Sequence, residues 1–152
     1  MVYVSTIREG GFLISKIKQV SGRIFDKKLR KYNITDLNSA QGRIIFSLWQ
    51  KDNIPIKELA TKTSLGKTTL TSMLDRLEQS DYITREPDKE DKRKVFICLT
   101  EKSKSLRQSY EDVSHEMLAL FYDGLSEEQV DVFEETLNHI LTNLNTYEEE
   151  NK

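Results

Sequence analysis

Apolar residues recur near the start of the chain at helical intervals. Leu13, Ile17, Val20 and Ile24 are spaced four, three and four apart, which is one face of a helix. Phe25, Leu29 and Tyr32 continue a neighbouring stripe, while Lys16, Lys18, Arg23, Lys27, Lys28, Arg30 and Lys31 fill the rest. Asn38 precedes Gln41 by three, a capping-box-like start. Ile44, Ile45, Leu48 and Trp49 then predict a short amphipathic helix to about Lys51. Pro55 suits the first turn of the next helix, with Ile56, Leu59 and Ala60 on its buried side. Ser64 to Gly66 is a break, after which Leu70, Met73, Leu74 and Leu77 predict a fourth helix from about Lys67 to Ser80.

Beyond Tyr82 the period changes. Tyr82 to Glu86 is β-permissive, and Pro87-Asp88-Lys89-Glu90-Asp91 has turn chemistry with charge. Val95, Ile97 and Leu99 alternate with Phe96 and Cys98, the period of a strand. The pair predicts a hairpin with a long charged tip. Thr100 can cap a long helix whose apolar positions are Leu106, Tyr110, Val113, Met117, Leu120 and Phe121, and Gly124 ends it. Ser126 with Gln129 is a second capping box, opening a last helix marked by Val130, Phe133, Leu137, Ile140 and Leu144. A short acidic tail, Glu148-Glu149-Glu150, follows. The fold class is mainly α with one small β-hairpin.

Length and composition narrow the function classes. A chain of 152 residues fits one domain. With 37% hydrophobic and 32% charged residues it is apolar-poor, as long helices with solvated faces would be. No run approaches the ~20 apolar residues of a membrane span. The N-terminus lacks the apolar segment of a signal peptide. One cysteine makes no internal disulfide, and His115 and His139 have no partner at metal spacing. The expectation is a soluble cytoplasmic protein without membrane contact, disulfide, metal or cofactor. There is no phosphate-binding glycine loop, nucleophile motif or paired acid–base constellation, so an enzyme is not expected.

The net charge of −2 hides a gradient. Residues 1–56 carry ten Lys/Arg against four Asp/Glu, whereas residues 111–152 carry one against twelve. Such asymmetry suggests that one part meets a polyanion. A merely solvated acidic helix would look the same at the C-terminal end.

Two short helices, a tight break and an amphipathic helix, followed by a charged hairpin, are the expected parts of a helix-turn-helix device. A helix ~10–12 Å across fits the major groove of B-DNA, and the motif holds its second helix there. The packing side of that helix is Leu70, Met73, Leu74 and Leu77. Its other side carries Lys67, Thr68, Thr71, Ser72 and Arg76, hydroxyls for base edges and cations for phosphates. An ordinary amphipathic helix would also show a polar exterior. The run Thr68, Thr69, Thr71, Ser72 argues against it, because these are mediocre helix formers.

The stretch from Lys57-Glu58-Leu59-Ala60 through Leu74-Asp75-Arg76-Leu77-Glu78 to Glu90-Asp91-Lys92-Arg93-Lys94-Val95-Phe96-Ile97-Cys98-Leu99-Thr100-Glu101-Lys102-Ser103 resembles the MarR family of winged helix-turn-helix transcriptional regulators. The Asp-x-Arg of its wing is Asp91-Lys92-Arg93. The resemblance spans the chain and implies one MarR-type domain over 1–152. Its winged helix-turn-helix part would cover 38–100, flanked by dimerisation helices at 8–32 and 101–147. It implies that Arg93 reaches the minor groove and that Asp91 orients it by a salt bridge. A groove with a narrow, negative interior attracts arginine, and a carboxylate can hold the guanidinium fork. Lys89 and Lys92 on the same tip complete the DNA-binding candidates. The resemblance further implies a homodimer on a pseudopalindromic operator, usually a repressor. Release by a small amphipathic, often phenolic, ligand would follow. The alternative is a winged-helix protein–protein interaction module without specific DNA binding. Cys98 is expected on the outer face of a wing strand, and the first helix holds no cysteine of the peroxide-sensing kind. Trp49, Tyr32, Tyr110 and Tyr122 are read as core or dimer-interface residues, with an effector cavity left open as their other use.

Overall fold

A computed structural model describes residues 7–152. Residues 1–6, part of the expected 1–152 domain and of the N-terminus read for a signal peptide, lie outside the described residues. The elements are α1 (Gly10–Lys31), α2 (Ser39–Gln50), β1 (Ile54–Pro55), α3 (Ile56–Thr63), α4 (Lys67–Gln79), β2 (Ile83–Pro87), β3 (Val95–Leu99), α5 (Glu101–Phe121) and α6 (Glu127–Glu150). The chain is mostly helical with a small antiparallel sheet, a winged-helix arrangement. It divides into two compact units, one ending at Met117 and the other Leu118–Lys152.

Local chemistry sets the helix ends. Asn38 accepts from the Gln41 N–H at 2.8 Å while the Gln41 side chain accepts from the Asn38 N–H at 3.0 Å, a closed capping box. Ser126 and Gln129 close the same box at the start of α6. Past the ends of α1 and α4, Asn33 (φ 64°) and Asp81 (φ 63°) take the left-handed conformation that Asn and Asp tolerate best after Gly. The next N–H in each case, Ile34 and Tyr82, then bonds back to Leu29 and Leu77 at 2.9 Å, satisfying a helix-end carbonyl.

The expected hairpin is β2–β3, in register from Ile83↔Leu99 to Pro87↔Val95. A third strand, β1, joins the other edge of β3 through Ile54↔Ile97 and Pro55↔Phe96. Pro55 therefore stands one residue before α3, as its extended cap, and not in its first turn. Two residues carry no readable period, so only the pairing with β3 reveals this strand. The acidic tail is also helical, since α6 runs to Glu150.

One hydrophobic core forms within the unit ending at Met117. Leu29 of α1, Ile44, Ile45 and Leu48 of α2, and Leu59 of α3 are fully buried. Leu70, Leu74 and Leu77 of α4 meet Ile83 and Ile97 of the sheet and Val113 of α5 in the same cluster. Tyr110 belongs to it too, with Phe25 and Trp49 ring centroids at 5.3 and 5.0 Å in edge-on contact. Trp49 completes its polar requirement by donating to the Ser103 carbonyl at 3.2 Å. Gly42 is where the Tyr110 ring presses on α2: a Cβ there would sit 2.6 Å from the phenol oxygen. Burial pushes the Tyr110 hydroxyl up to about 12, so it stays protonated.

Candidate nucleic-acid interface

Helix α4 is fixed by its three buried leucines, and this determines which residues point away. Lys67, Thr68, Thr69, Ser72 and Arg76 are exposed, whereas Thr71 is half-buried on the flank. Gly66 caps the helix without a side-chain hydrogen bond, so the first-turn N–H groups beside Lys67 have no capping acceptor. Thr68, Thr69 and Ser72 thus offer small hydroxyls over one turn, with a cation before and after them.

The wing tip is built by its own backbone. The Asp88 N–H bonds to the Lys94 carbonyl at 2.9 Å, and the Lys94 N–H to the Asp91 carbonyl at 3.0 Å. Asp91 accepts the Arg93 N–H at 3.1 Å and the Arg93 Nε–H at 3.1 Å, with Nη2 3.4 Å from its other oxygen. Arg93 is nevertheless 92% exposed in its side chain, while Asp91 is 34% exposed. The guanidinium is therefore oriented from one edge and open on the rest. The Arg93 side chain, then its backbone N–H, holds the Asp91 carboxyl below its ordinary value, so that carboxyl is charged at neutral pH. Lys89 and Lys92 are exposed on the same tip. Among the described residues, Lys67, Arg76, Lys89 and Lys92 enter no ion pair, which leaves four cations for an anionic partner.

Two further constellations were not read from the sequence. Arg85 of β2 bridges Asp75 and Glu78 of α4. In-phase alternation with buried Ile83 was a signal that Arg85 faces the helix. Tyr82 donates to Asp36, and Lys102 binds the same carboxylate at 3.0 Å and the Ser80 carbonyl at 2.8 Å while lying 4.3 Å over the Tyr82 ring. No spacing signal could join Asp36 to residues so distant in the chain. The other aromatic positions resolve locally: Tyr32 donates to Glu116 at 3.1 Å, and Tyr122 to Glu134 at 2.8 Å. Cys98 is half-buried between buried Ile97 and Leu99, with its sulfur 3.2 Å from Asn53 Oδ1.

Apolar surface remains uncovered on the terminal helices. Phe12, Leu13, Ile17 and Val20 of α1 are exposed. On α6, Val132, Ile140, Leu141, Leu144 and Tyr147 are exposed, and the helix buries no residue at all. No helix among the described residues is long and apolar enough to cross a membrane.

Comparison with known proteins places this geometry. The sequence model described as "MarR family" matches residues 37–95, from just before α2 to the first residue of β3. The HTH-type transcriptional regulator MgrA of Staphylococcus aureus is 30% identical over 124 residues, covering 82% of this chain and 81% of MgrA. Among solved structures, a serine-for-cysteine mutant of E. coli MarR complexed with operator DNA matches with a TM-score of 0.76 and 27% identity, over 86% of this chain and 92% of that one. A MarR protein from Peptoclostridium difficile shares the fold over the whole chain and 97% of its own, with a TM-score of 0.86 at 18% identity.

Proposed function

The chain belongs to the MarR family of transcriptional regulators, which are DNA-binding proteins and not enzymes, and from that premise we propose that it binds a pseudopalindromic operator as a homodimer and represses transcription. The observation that carries this reading is the wing tip, where a highly exposed Arg93 is held in one pose by Asp91. An arginine on a narrow hairpin suits a minor groove of strong negative potential. Helix α4 then lies in the adjacent major groove. Thr68, Thr69 and Ser72 meet base edges there, Thr71 the flank, and Lys67, Arg76, Lys89 and Lys92 the phosphates.

The uncovered apolar faces of α1 and α6 support the second copy, because a monomer would leave them in water. Two-fold symmetry sets the two α4 helices about one helical turn of DNA apart, ~34–36 Å, and makes the operator mirror the dimer. A dimer laid along a promoter excludes other proteins from it, which is repression. Release by a small amphipathic or phenolic ligand is part of the proposal and rests on the family resemblance alone, as does the cytoplasmic location. The test is a gel shift on DNA flanking the protein's own gene, over a salt series and with phenolic ligands added. DNA binding that neutralises several phosphates weakens steeply with salt. Equal, weak retention of operator and random DNA would instead favour a winged-helix module whose partner is a protein.

A further inference from the structure

The root of the wing is tied to the recognition helix by one side chain. Arg85 lies on the same face of β2 as buried Ile83, the face turned toward α4. Its Nη2 is 2.5 Å from Asp75 Oδ1 and 3.1 Å from Glu78 Oε1. Glu78 grips the strand a second time, accepting the Arg85 backbone N–H at 3.2 Å through Oε2. Asp75 and Glu78 are three residues apart, so they stack on adjacent turns and present both carboxylates to one guanidinium. The Arg85 side chain is only 25% exposed, less than either partner.

We propose that Arg85 is a positioning residue for DNA binding: by clamping Asp75 and Glu78 it fixes the angle between α4 and the wing, and so the spacing between the major-groove and minor-groove contacts. The inference rests on the DNA-binding reading above. Leverage makes the clamp matter. Beyond Arg85, β2 runs two more extended residues, to Pro87, about 7 Å, before the turns of the tip at 88–94 begin. A swing of ~10° at the root therefore moves the start of the tip by about 1 Å, and points farther out by more, which is enough to stretch a hydrogen bond beyond its range. The clamp also quiets a charge problem. Asp75 is 53% exposed in its side chain, three residues from Ser72 and next to Arg76, where a free carboxylate would repel phosphate. Lysine is not equivalent here: both carboxylates meet the single nitrogen Nη2, which a rigid planar guanidinium holds in place, whereas an ammonium is a compact point charge on a flexible stem.

Two measurements test this on the full chain. The first needs no DNA. Amide hydrogen exchange of Arg85→Ala, Arg85→Lys and the double variant Asp75→Asn/Glu78→Gln should accelerate across the wing, residues 85–95, relative to wild type, with α2 and α3 unchanged. Unchanged wing exchange in all three variants overturns the clamp, whatever the protein binds. The second uses a DNA fragment that wild type binds specifically. Each variant should lose about ten-fold in specific affinity, the scale of one bidentate contact, while binding to random DNA moves less than about three-fold. Hydroxyl-radical protection in the flanking minor grooves should fade, with major-groove protection retained. If Arg85→Lys binds like wild type, or if neutralising Asp75 and Glu78 tightens binding, Arg85 is a simple phosphate cation and the proposal fails. Absence of specific binding by wild type itself would overturn the DNA reading and leave the exchange result to decide the clamp.

Discussion

Helices α4 and α6 carry the same kind of apolar stripe and meet different fates. Leu70, Leu74 and Leu77 of α4 are 0–1% exposed, whereas Leu141, Leu144 and Tyr147 of α6 are 45–69% exposed. Periodicity is therefore evidence for a helix and for a face that wants cover, and it is silent on who provides the cover. The polar side of each helix is more telling. Opposite its leucines, α4 shows hydroxyls and cations, a surface suited to a polyanion. Helix α6 shows eight acidic residues and no lysine or arginine, a surface that DNA would repel. One helix has a partner for its apolar face inside the chain and faces outward for function. The other has an acidic outer side and, beyond half-buried Phe133 and Leu137, an apolar C-terminal half that stays exposed.

The sharpest way to break that contrast is to make one truncation in both helices. Leu74→Ala should destabilise the folded unit by about 2–5 kcal/mol, since the vacated volume lies in a closed core. Urea denaturation monitored by far-ultraviolet circular dichroism measures it. Leu144→Ala removes the same atoms from a site 63% exposed in the single chain. Measured at concentrations low enough to dissociate a dimer, it should change unfolding by less than about 0.5 kcal/mol. Comparable losses in both variants at that dilution would mean that α6 is already covered within one chain.

Charge on the open faces probes the same contrast through assembly. Leu141→Asp together with Leu144→Asp should convert a dimer to a folded monomer at micromolar concentration, because burying two carboxylates in an apolar interface is prohibitive. Sedimentation velocity reads the mass, and a wild-type chain that sediments as a monomer would remove the homodimer from the proposal. Ile17→Asp on α1 should act in the same direction.

What could be read in advance followed how local each feature is. The Asn38–Gln41 and Ser126–Gln129 caps need three residues, and the Asp91–Arg93 pair needs two, so spacing alone exposes them. The buried stripes of α2 and α4 follow from the helical repeat. Strand β1 was invisible because two residues have no period and exist as a strand only through β3. Arg85, Asp75 and Glu78 were visible as charges, yet their convergence needs the turn at Asp81 to fold β2 back along α4. Asp36 and Tyr82 required the packing of the whole unit. Thr71 and Ser72 look equivalent in sequence, and only the roll of α4 about its leucines makes one half-buried and the other exposed.

The wing supplies a smaller test, because its tip is held by few contacts. Arg93→Ala should cost ~1–3 kcal/mol of operator affinity and leave thermal stability almost unchanged, given its 92% exposure. Asp91→Ala separates two ideas by sign. Deleting an acid beside DNA should strengthen binding if only net charge matters, but weaken it if the carboxylate orients Arg93. In the second case the double variant is little worse than Arg93→Ala, since nothing remains to orient. Fluorescence anisotropy at fixed salt compares the three, and tighter binding by Asp91→Ala would reduce the motif to a charged turn.

The smallest effect expected is a pH dependence at Asp36, on the loop between α1 and α2. Partial burial would by itself raise this carboxyl, but hydrogen bonds from Tyr82 and Lys102 outweigh it and leave the value below the ordinary one. A carboxyl depressed in the folded state stabilises the fold fully above its unfolded value, ~3.9, and that contribution fades as pH falls through the folded value. Asp36 is 46% exposed in its side chain, so solvent screening keeps the contribution below about 1 kcal/mol. Urea midpoints between pH 7 and pH 3 should therefore fall less steeply at the acid end for Asp36→Asn than for wild type, because the amide cannot titrate. Asp36→Asn should also lower the midpoint slightly at pH 7, where the carboxylate binds Lys102 and Tyr82 in the wild-type chain. Identical acid slopes in the two proteins would show that the Asp36 hydrogen bonds to Tyr82 and Lys102 contribute nothing to the pH dependence of stability.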